Sequence, residues 1–530
     1  MPINSGNSTS AGVYVGERDN SIRATAISTS VGAIVGPSHR GPVGVPTLVV
    51  DEDEFISMFG DSDEALTYMH YCARAFLQES SRLYVLRTAE NAKFGGIKVS
   101  TVDSFSQVQN LAAGYADPQD IIFGLQDIMF VLAANPGNWN NDLRVLLYPD
   151  TDDVSEEGFV LNVFEGVSQI PVEVYRGTLH EKVDGYGRQL AIETQVSENT
   201  RSRIQVMVNH DHPLRAANDA AALINAVTVG EVTQGSSGDA VDQSHIINGW
   251  NEFEDKEQVS VNILINGGYS DPSVQLRMIE IAEDRDDCFA ILDLPSNKQL
   301  TQDAVNYRRN VLNANSSYGA IYGPDLLVRD TREARNLFVP PSGHIAGVFA
   351  RTDRVSATWF APAGVNRGQL NVNGVRHVYK QGHRDVFAEN QINPIRFMSG
   401  QGIVVWGADT LQSIASALSN VNVRRLLILL KNSIADVALS GVYEPNDSFL
   451  RISLRAIAED LLNPILRGRG LYGFKVICDE RNNTPETMAN GDVILDVYVD
   501  PVIPAKRIHL NAIIPKTGQI KFAQELMGAA

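Results

Sequence analysis

An alternation of short apolar strands with amphipathic helices, interrupted in the middle of the chain, restricts the fold more than any other feature. "SVGAIVG" (Ser30 to Gly36) and "TLVV" (Thr47 to Val50) read as strands; "EDEFISMF" and "DEALTYMHYCARAFLQE" read as helices, followed by strand "RLYVLRT". Asp51 is placed to cap the first helix with Glu54 three residues on, and Gly60 to end it. The same texture resumes with strand "VSVNILI", helix "PSVQLRMIEIAE", strand "FAILDLP", helix "DAVNYRRNVL" and strand "YGAIYG". Such alternation builds a mainly parallel sheet covered by helices. Between the blocks, from about Asn91 to Asp242, short strands, turns and acidic loops predict an inserted β-rich domain, with "NDLRVLLYPD", "VEVYRGTL", "LAIETQV" and "SRIQVMV" among its strands.

The last third predicts two long helices. "VNVRRLLILLKNSIADVA" sets Val423, Leu426, Leu427, Leu430, Ile434 and Val437 on one stripe, and "SFLRISLRAIAEDLLNP" does so with Leu450, Leu454, Ile457 and Leu461 until Pro464. Strands "GFKVICDE", "VILDVYVD", "AKRIHLNAII" and "QIKFAQEL" follow. At the other end "AGVYVGERD" (Ala11 to Asp19) reads as a strand with no turn to fold it onto a local partner. Its backbone donors and acceptors need a sheet from elsewhere.

A chain of 530 residues has room for about three domains, and 44% hydrophobic with 20% charged residues is ordinary for a folded protein. Cys72, Cys288 and Cys478 are too few and too scattered for a disulfide framework or Cys-based zinc site, which fits a reducing compartment. The longest apolar run, "LLILL", is far short of a membrane span, and no signal region precedes the first strands, so a soluble, unsecreted protein is expected, with no membrane insertion. A net charge of −19 argues against direct nucleic-acid binding, which needs a large basic surface.

Motifs that suggest catalysis do not hold together. "GRGLYG" (Gly468 to Gly473) matches G-x-G-x-x-G but follows a helix and precedes a strand, the reverse of a dinucleotide site. "INGGYSDP" (Ile265 to Pro272) joins strand to helix but lacks Lys and puts Asp271 where phosphate would be repelled. "NHDHP" offers His210 and His212 with no third ligand nearby, and "DEDE" (Asp51 to Glu54) is explained by helix capping. No catalytic residue, cofactor or metal is expected. Charge is more informative: between Val421 and Lys475 eight Lys/Arg face five Asp/Glu in a chain that is strongly acidic overall. These are Arg424, Arg425, Lys431, Arg451, Arg455, Arg467, Arg469 and Lys475. Contact with an acidic partner and a solvated helix face, with Arg455 paired to Glu459, are both open readings.

Five separated blocks give the chain a resemblance to the tail sheath proteins of contractile bacteriophages (myovirus type) and related contractile injection systems. They are "GVYVGE" with "ISTSVGAIVGPSHRGPVGVPTLVVDEDEFISMFG", "AGVFARTDRVSATWFAPAGVNRGQL", "NPIRFMSGQGIVVWGADTL", "VNVRRLLILLKNSI", and "LYGFKVICDERNNTPETMANGDVILDVYVDPVIPAKRIHLN". Together they cover roughly residues 11 to 95 and 250 to 526, whereas 96 to 245 fit only loosely, at "GNWNNDLRV". The resemblance implies a mixed α/β, multidomain fold: an α/β core with an inserted β-rich outer domain and a C-terminal α+β inner domain completed by N- and C-terminal strands exchanged between subunits. The domains are expected at 1–20 (N-terminal arm), 21–95 and 246–400 (core), 96–245 (insertion), 401–515 (inner, tube-facing) and 516–530 (C-terminal arm). Gly12, Val13, Tyr14 and Val15 at one end, and Ile520, Lys521, Phe522 and Ala523 at the other, are the expected inter-subunit strands.

Arg451, Arg455, Arg467 and Arg469 are the candidate tube contacts. The implied partners are other copies of the chain in a helical homopolymer, the tail tube protein, and baseplate and tail terminator or neck proteins. The implied location is the virion tail, with the host cytoplasm during assembly. Contraction would drive the tube through the host envelope for genome delivery. Two other readings stand beside this one: an α/β nucleotide- or cofactor-binding enzyme, from the alternation and "INGGYSDP", and a non-contractile tail tube or baseplate protein.

Overall fold

The two α/β blocks assemble into one nine-stranded sheet. Its order is Gln369–Leu370, Gly402–Val405, Ile392–Met398, Gly319–Gly323, Phe289–Asp293, Ile263–Ile265, Gly32–Gly36, Leu83–Arg87 and Thr47–Val49. The six strands from Ile392–Met398 to Leu83–Arg87 run parallel, and the outer ones are antiparallel. The computed structural model describes residues 30–61, 68–102, 105–150, 158–212, 228–330 and 334–508. Both terminal strands of the sequence analysis, Gly12 to Val15 and Ile520 to Ala523, lie outside them.

The described chain separates into two compact units, one containing Leu430–Asp500 and the other Thr29–Leu429. The boundary expected at 401 falls in the hairpin Ile392–Met398/Gly402–Val405 of the large sheet, and the second unit begins at Leu430, inside the helix Val421–Leu439.

In the larger unit, Gly32–Gly36, Phe289–Asp293 and Gly319–Gly323 are buried at every position, because helices cover both faces. Helices Met69–Leu77 and Ser342–Val355 pack on one another, as do Gln243–Asn251 and Pro272–Arg285. Gly343 permits the first approach, since a Cβ there would stand 2.3 Å from the Cys72 carbonyl oxygen. The cap on Glu52–Phe59 is as expected: Asp51 accepts from the Glu54 amide at 2.7 Å, and Gly60 closes the helix at φ 83°. Glu54 reaches back to the Val50 amide at 2.8 Å, one residue beyond the usual capping box.

The insertion consists of two antiparallel four-stranded sheets. One is Ile204–Val208, Asp127–Ala133, Gly96–Val102 and Phe105–Asn110; the other is Thr228–Glu231, Leu143–Pro149, Phe159–Glu165 and Glu173–Gly177. "LAIETQV" corrects the sequence reading. It forms the helix Ile192–Ser197, because Ile192 and Val196, four apart, are both buried in the insertion's core, a spacing that suits a helical face. "GNWNND" turns out to clasp the neck where the chain enters and leaves the insertion. Asn141 exchanges two hydrogen bonds with Gly235, both 3.0 Å, and Asn138 exchanges two with Ser237, at 2.9 and 3.0 Å. Buried Arg87 binds the Gly41 and Pro136 carbonyls at 2.8 and 2.7 Å, and burial pulls its guanidinium down to about 10.

Candidate functional site

The smaller unit is built on the helix Ser448–Arg467, which packs on the strand Leu471–Ile477. Asp447 starts the helix by accepting from the Phe449 and Leu450 amides, both at 2.9 Å. Its buried face is Arg451, Leu454, Ala458, Leu462 and Ile465, so the stripe is turned from the expected Leu450, Ile457 and Leu461 toward their neighbours. The helix also runs past Pro464 to Arg467. Pro464 is exposed, where the freed carbonyl one turn earlier meets water, and buried Ile465 anchors the extra turn.

Leu471–Ile477 pairs only with Asp496–Pro501 among the described residues, giving a two-stranded sheet. Such a ribbon is marginal in isolation. Asn482 and Asn483, which sequence reasoning passed over, hold the connection between the strands. Asn482 donates to the Ile477 and Ile494 carbonyls and the Asp496 carboxylate at 2.9, 3.1 and 2.9 Å. Asn483 exchanges bonds with the Ile494 backbone at 2.9 and 2.7 Å. Their sequence signal was the turn-forming pair inside "DERNNTP". Apolar surface is left open on the same unit: Phe449 is 80% exposed, and Ile452, Tyr443, Tyr472 and Tyr498 are exposed too.

The four candidate arginines are not equivalent. Arg451 is buried, its guanidinium donating to Asn446 Oδ1 at 3.2 Å. Arg455 pairs with Glu459 at 2.8 Å, and that hydrogen bond and charge raise its pKa. Arg467 and Arg469 are exposed. Arg469 sits in the helix-exit turn at φ 65°, where the Gly470 amide closes back on the Ile465 carbonyl at 2.8 Å, so "GRGLYG" is a helix stop. In the larger unit Arg424 and Arg425 depart from the expected surface surplus. Arg424 lies 4.0 Å over the Tyr318 ring, and Arg425 pairs with buried Asp353 at 2.6 Å and lies 4.6 Å over the Phe349 ring. Their charge is spent inside the fold, where flat guanidinium groups stack on aromatic rings.

A parallel sheet of this kind usually binds ligands beyond the strand ends where its order reverses, here between Gly36 and Ile265. The "INGGYSDP" loop stands there with Gly267 at φ 65° and Gly268 at φ 90°. Its anion-binding geometry is occupied from within. The Gly268 amide donates to Asp293 at 3.0 Å, and the Gly267 amide to Ser342 Oγ at 3.1 Å. Ser342 in turn gives Asp293 its amide and hydroxyl, both at 2.7 Å. Burial pushes the Asp293 carboxyl up to about 7. Beside it, Met69 and Tyr269 close over Gly36, each 3.0 Å from where a Cβ would stand. His210 and His212 lie in a turn, and among the described residues no group of three or more His, Cys, Asp or Glu is placed to hold a metal. All three cysteines are free and buried, and no described helix is long and apolar enough to cross a membrane.

The family model of the phage tail sheath protein central domain matches residues 239–411, and that of the phage tail sheath C-terminal domain matches 415–514, together just over half of the sequence. The chain belongs to the phage tail sheath family. The tail sheath protein of Enterobacteria phage T4 is 32% identical over 304 residues, 53% of this chain and 46% of that one. The tail sheath protein of Vibrio phage KVP40 is 31% identical over 333 residues, 57% of this chain and 50% of that one. The match thus spans about half the length of these curated sheath proteins. The fold is shared more widely. A sheath tail protein from Desulfitobacterium hafniense superposes with TM-score 0.56 at 12% identity, covering 92% of this chain and 96% of that one. The sheath of the PVC extracellular contractile injection system, in its contracted state, superposes with TM-score 0.53 at 15% identity, covering 96% and 99%.

Proposed function

We propose that the chain is the subunit of a contractile tail sheath: it polymerises helically around a tail tube and shortens to drive the tube through a host cell envelope. The carrying observation is the two-stranded sheet of the C-terminal unit, with no third strand among the described residues and with exposed aromatic residues, in a chain whose sequence also reads as a strand at Ala11 to Asp19 and at Gln519 to Leu526. Strands added from neighbouring copies give that sheet the partners a ribbon needs, at about 1 kcal/mol net per hydrogen bond. A link between unlike surfaces propagates as an open helix. Exchanged strands would keep rigid bodies joined while those bodies rotate.

Energy for shortening then resides in the assembly, as a trapped extended packing released when contacts to the tube break. Arg467 and Arg469 are the exposed cations assigned to the tube, joined by Arg455 if its pair with Glu459 opens; Arg451 supports the fold from inside. The filled crevice at Gly36, with Asp293 where an incoming anion would bind, favours this reading over a nucleotide- or cofactor-binding enzyme. Baseplate and neck proteins are assigned as partners at the two ends of the polymer, and the virion tail as the location. Electron microscopy of purified protein tests the proposal: hollow tubes, nucleated by tube protein where present, are expected, and dispersed monomers at every concentration would overturn it.

A further inference from the structure

Loops at the two ends of the central strands Ile263–Ile265, Phe289–Asp293 and Gly319–Gly323 carry an excess of opposite charge, and we propose that the acidic rim of one copy docks on the basic rim of the next. The inference rests on the sheath reading and adds to it a specific contact between copies. Parallel strands fix which loops share a rim, because all begin at one edge and end at the other. Residues 251–260 lead into Ile263–Ile265, and 283–288 into Phe289–Asp293, so both segments lie at the strand starts. There Glu252, Asp255, Glu257, Glu283 and Asp284 are exposed and have no ion pair among the described residues; exposed Lys256, and Arg82 ahead of Leu83–Arg87, offset two charges.

Buried Arg285 holds the segments together, binding the Phe253 and Val259 carbonyls at 2.6 and 2.9 Å and both oxygens of Asp287 at 2.8 Å. Arg277 ties Asn251, Glu254 and Glu280 at 2.8, 2.6 and 2.8 Å. The carboxylates therefore stand on a fixed surface.

At the strand ends, residues 294–299 and 324–330 close around Asp325. Its carboxylate takes Ser296, Gln299 and Arg376 at 2.7, 2.6 and 3.1 Å, and is buried. The segment after Gly374–Val375 joins them, with the Tyr379 hydroxyl on the Gln299 carbonyl at 2.8 Å and Arg384 on the Tyr379 carbonyl at 2.6 Å. With Asp325 committed to Arg376, exposed Lys298, Arg329, Lys380 and His383 outnumber the exposed carboxylates at these strand ends among the described residues, Asp271 and Asp385.

Within one copy these rims cannot meet. Five-residue strands such as Phe289–Asp293 hold them about 16 Å apart before the loops are counted, beyond the roughly 8 Å over which salt screens charge. In a chain of net charge −19, copies repel except where an acidic face meets a basic one. Opposite rims of different copies supply that match, and the contact, being between unlike surfaces, continues along a filament.

The test uses two triple variants of the full chain, Glu252→Lys/Glu257→Lys/Asp284→Lys and Lys298→Glu/Arg329→Glu/Lys380→Glu. All six side chains are exposed, so circular dichroism and melting should match the parent chain. Each variant alone should lose pelletable polymer by about tenfold or more. An equimolar mixture should recover it as alternating copolymer, since the reversed rim of each then meets the reversed rim of the other. Either variant polymerising alone like the parent chain, or a mixture that stays monomeric, overturns the contact. Reversal that spares polymer but blocks a different tail protein also overturns it, assigning the rim to that protein. A parent chain that forms no tubes contradicts the sheath reading, and the contact with it.

Discussion

The large sheet and the small one solve the same problem in opposite ways. In the nine-stranded sheet the central strands are buried on both faces and the edge strands are as short as Gln369–Leu370 and Thr47–Val49. Short edges are how a sheet avoids recruiting further strands. In the C-terminal unit, two strands of seven and six residues stand with one helix behind them and aromatic side chains exposed. If neighbouring copies add strands to the second sheet, as proposed, that contrast separates a rigid body from a joint.

Substitutions of similar size should therefore have unlike effects in the two regions. Phe349→Ala, in the fully buried core, is expected to cost about 3–5 kcal/mol on melting, whereas Phe449→Ala should change monomer stability by no more than about 0.5 kcal/mol and act on polymer yield. Equal melting shifts would break the comparison. Removing residues 1–19, and separately 516–530, sharpens it: if each arm makes about four hydrogen bonds of ~1 kcal/mol, either truncation weakens subunit association roughly a thousandfold while leaving folded monomers. Sedimentation measures this, and normal polymer from both truncated chains would show that the small sheet needs neither arm. The smallest effect belongs to Arg467→Glu/Arg469→Glu, expected to reduce co-assembly with tube protein by about tenfold, more at low salt than at high. Normal assembly at all salt concentrations would move the tube contact elsewhere.

How far the sequence could be read follows local physics. Asp51, Glu54 and Gly60 announce a helix by their own hydrogen-bonding chemistry, and the apolar runs at Gly32–Gly36 and Phe289–Asp293 are buried strands as their composition demands. Where the reading departed from the structure, tertiary context decided. Arg451 occupies the buried stripe of its helix, which turned the expected face, and Arg424 and Arg425 were counted as surface charge although ring faces and Asp353 hold them inside. The neck clasp of Asn138 and Asn141 joins residues about a hundred positions apart, which periodicity does not register. The filled anion loop depends on Asp293 and Ser342, each remote in sequence from the glycines it binds.

Amide hydrogen exchange of 471–477 and 496–500, compared between monomer and polymer, tests the central claim most directly. If neighbouring copies supply strands to this sheet, outward-facing amides that exchange quickly in the monomer should slow by about tenfold or more on assembly, while those of Phe289–Asp293 stay slow in both. Equal exchange in monomer and polymer across the small sheet would contradict the account.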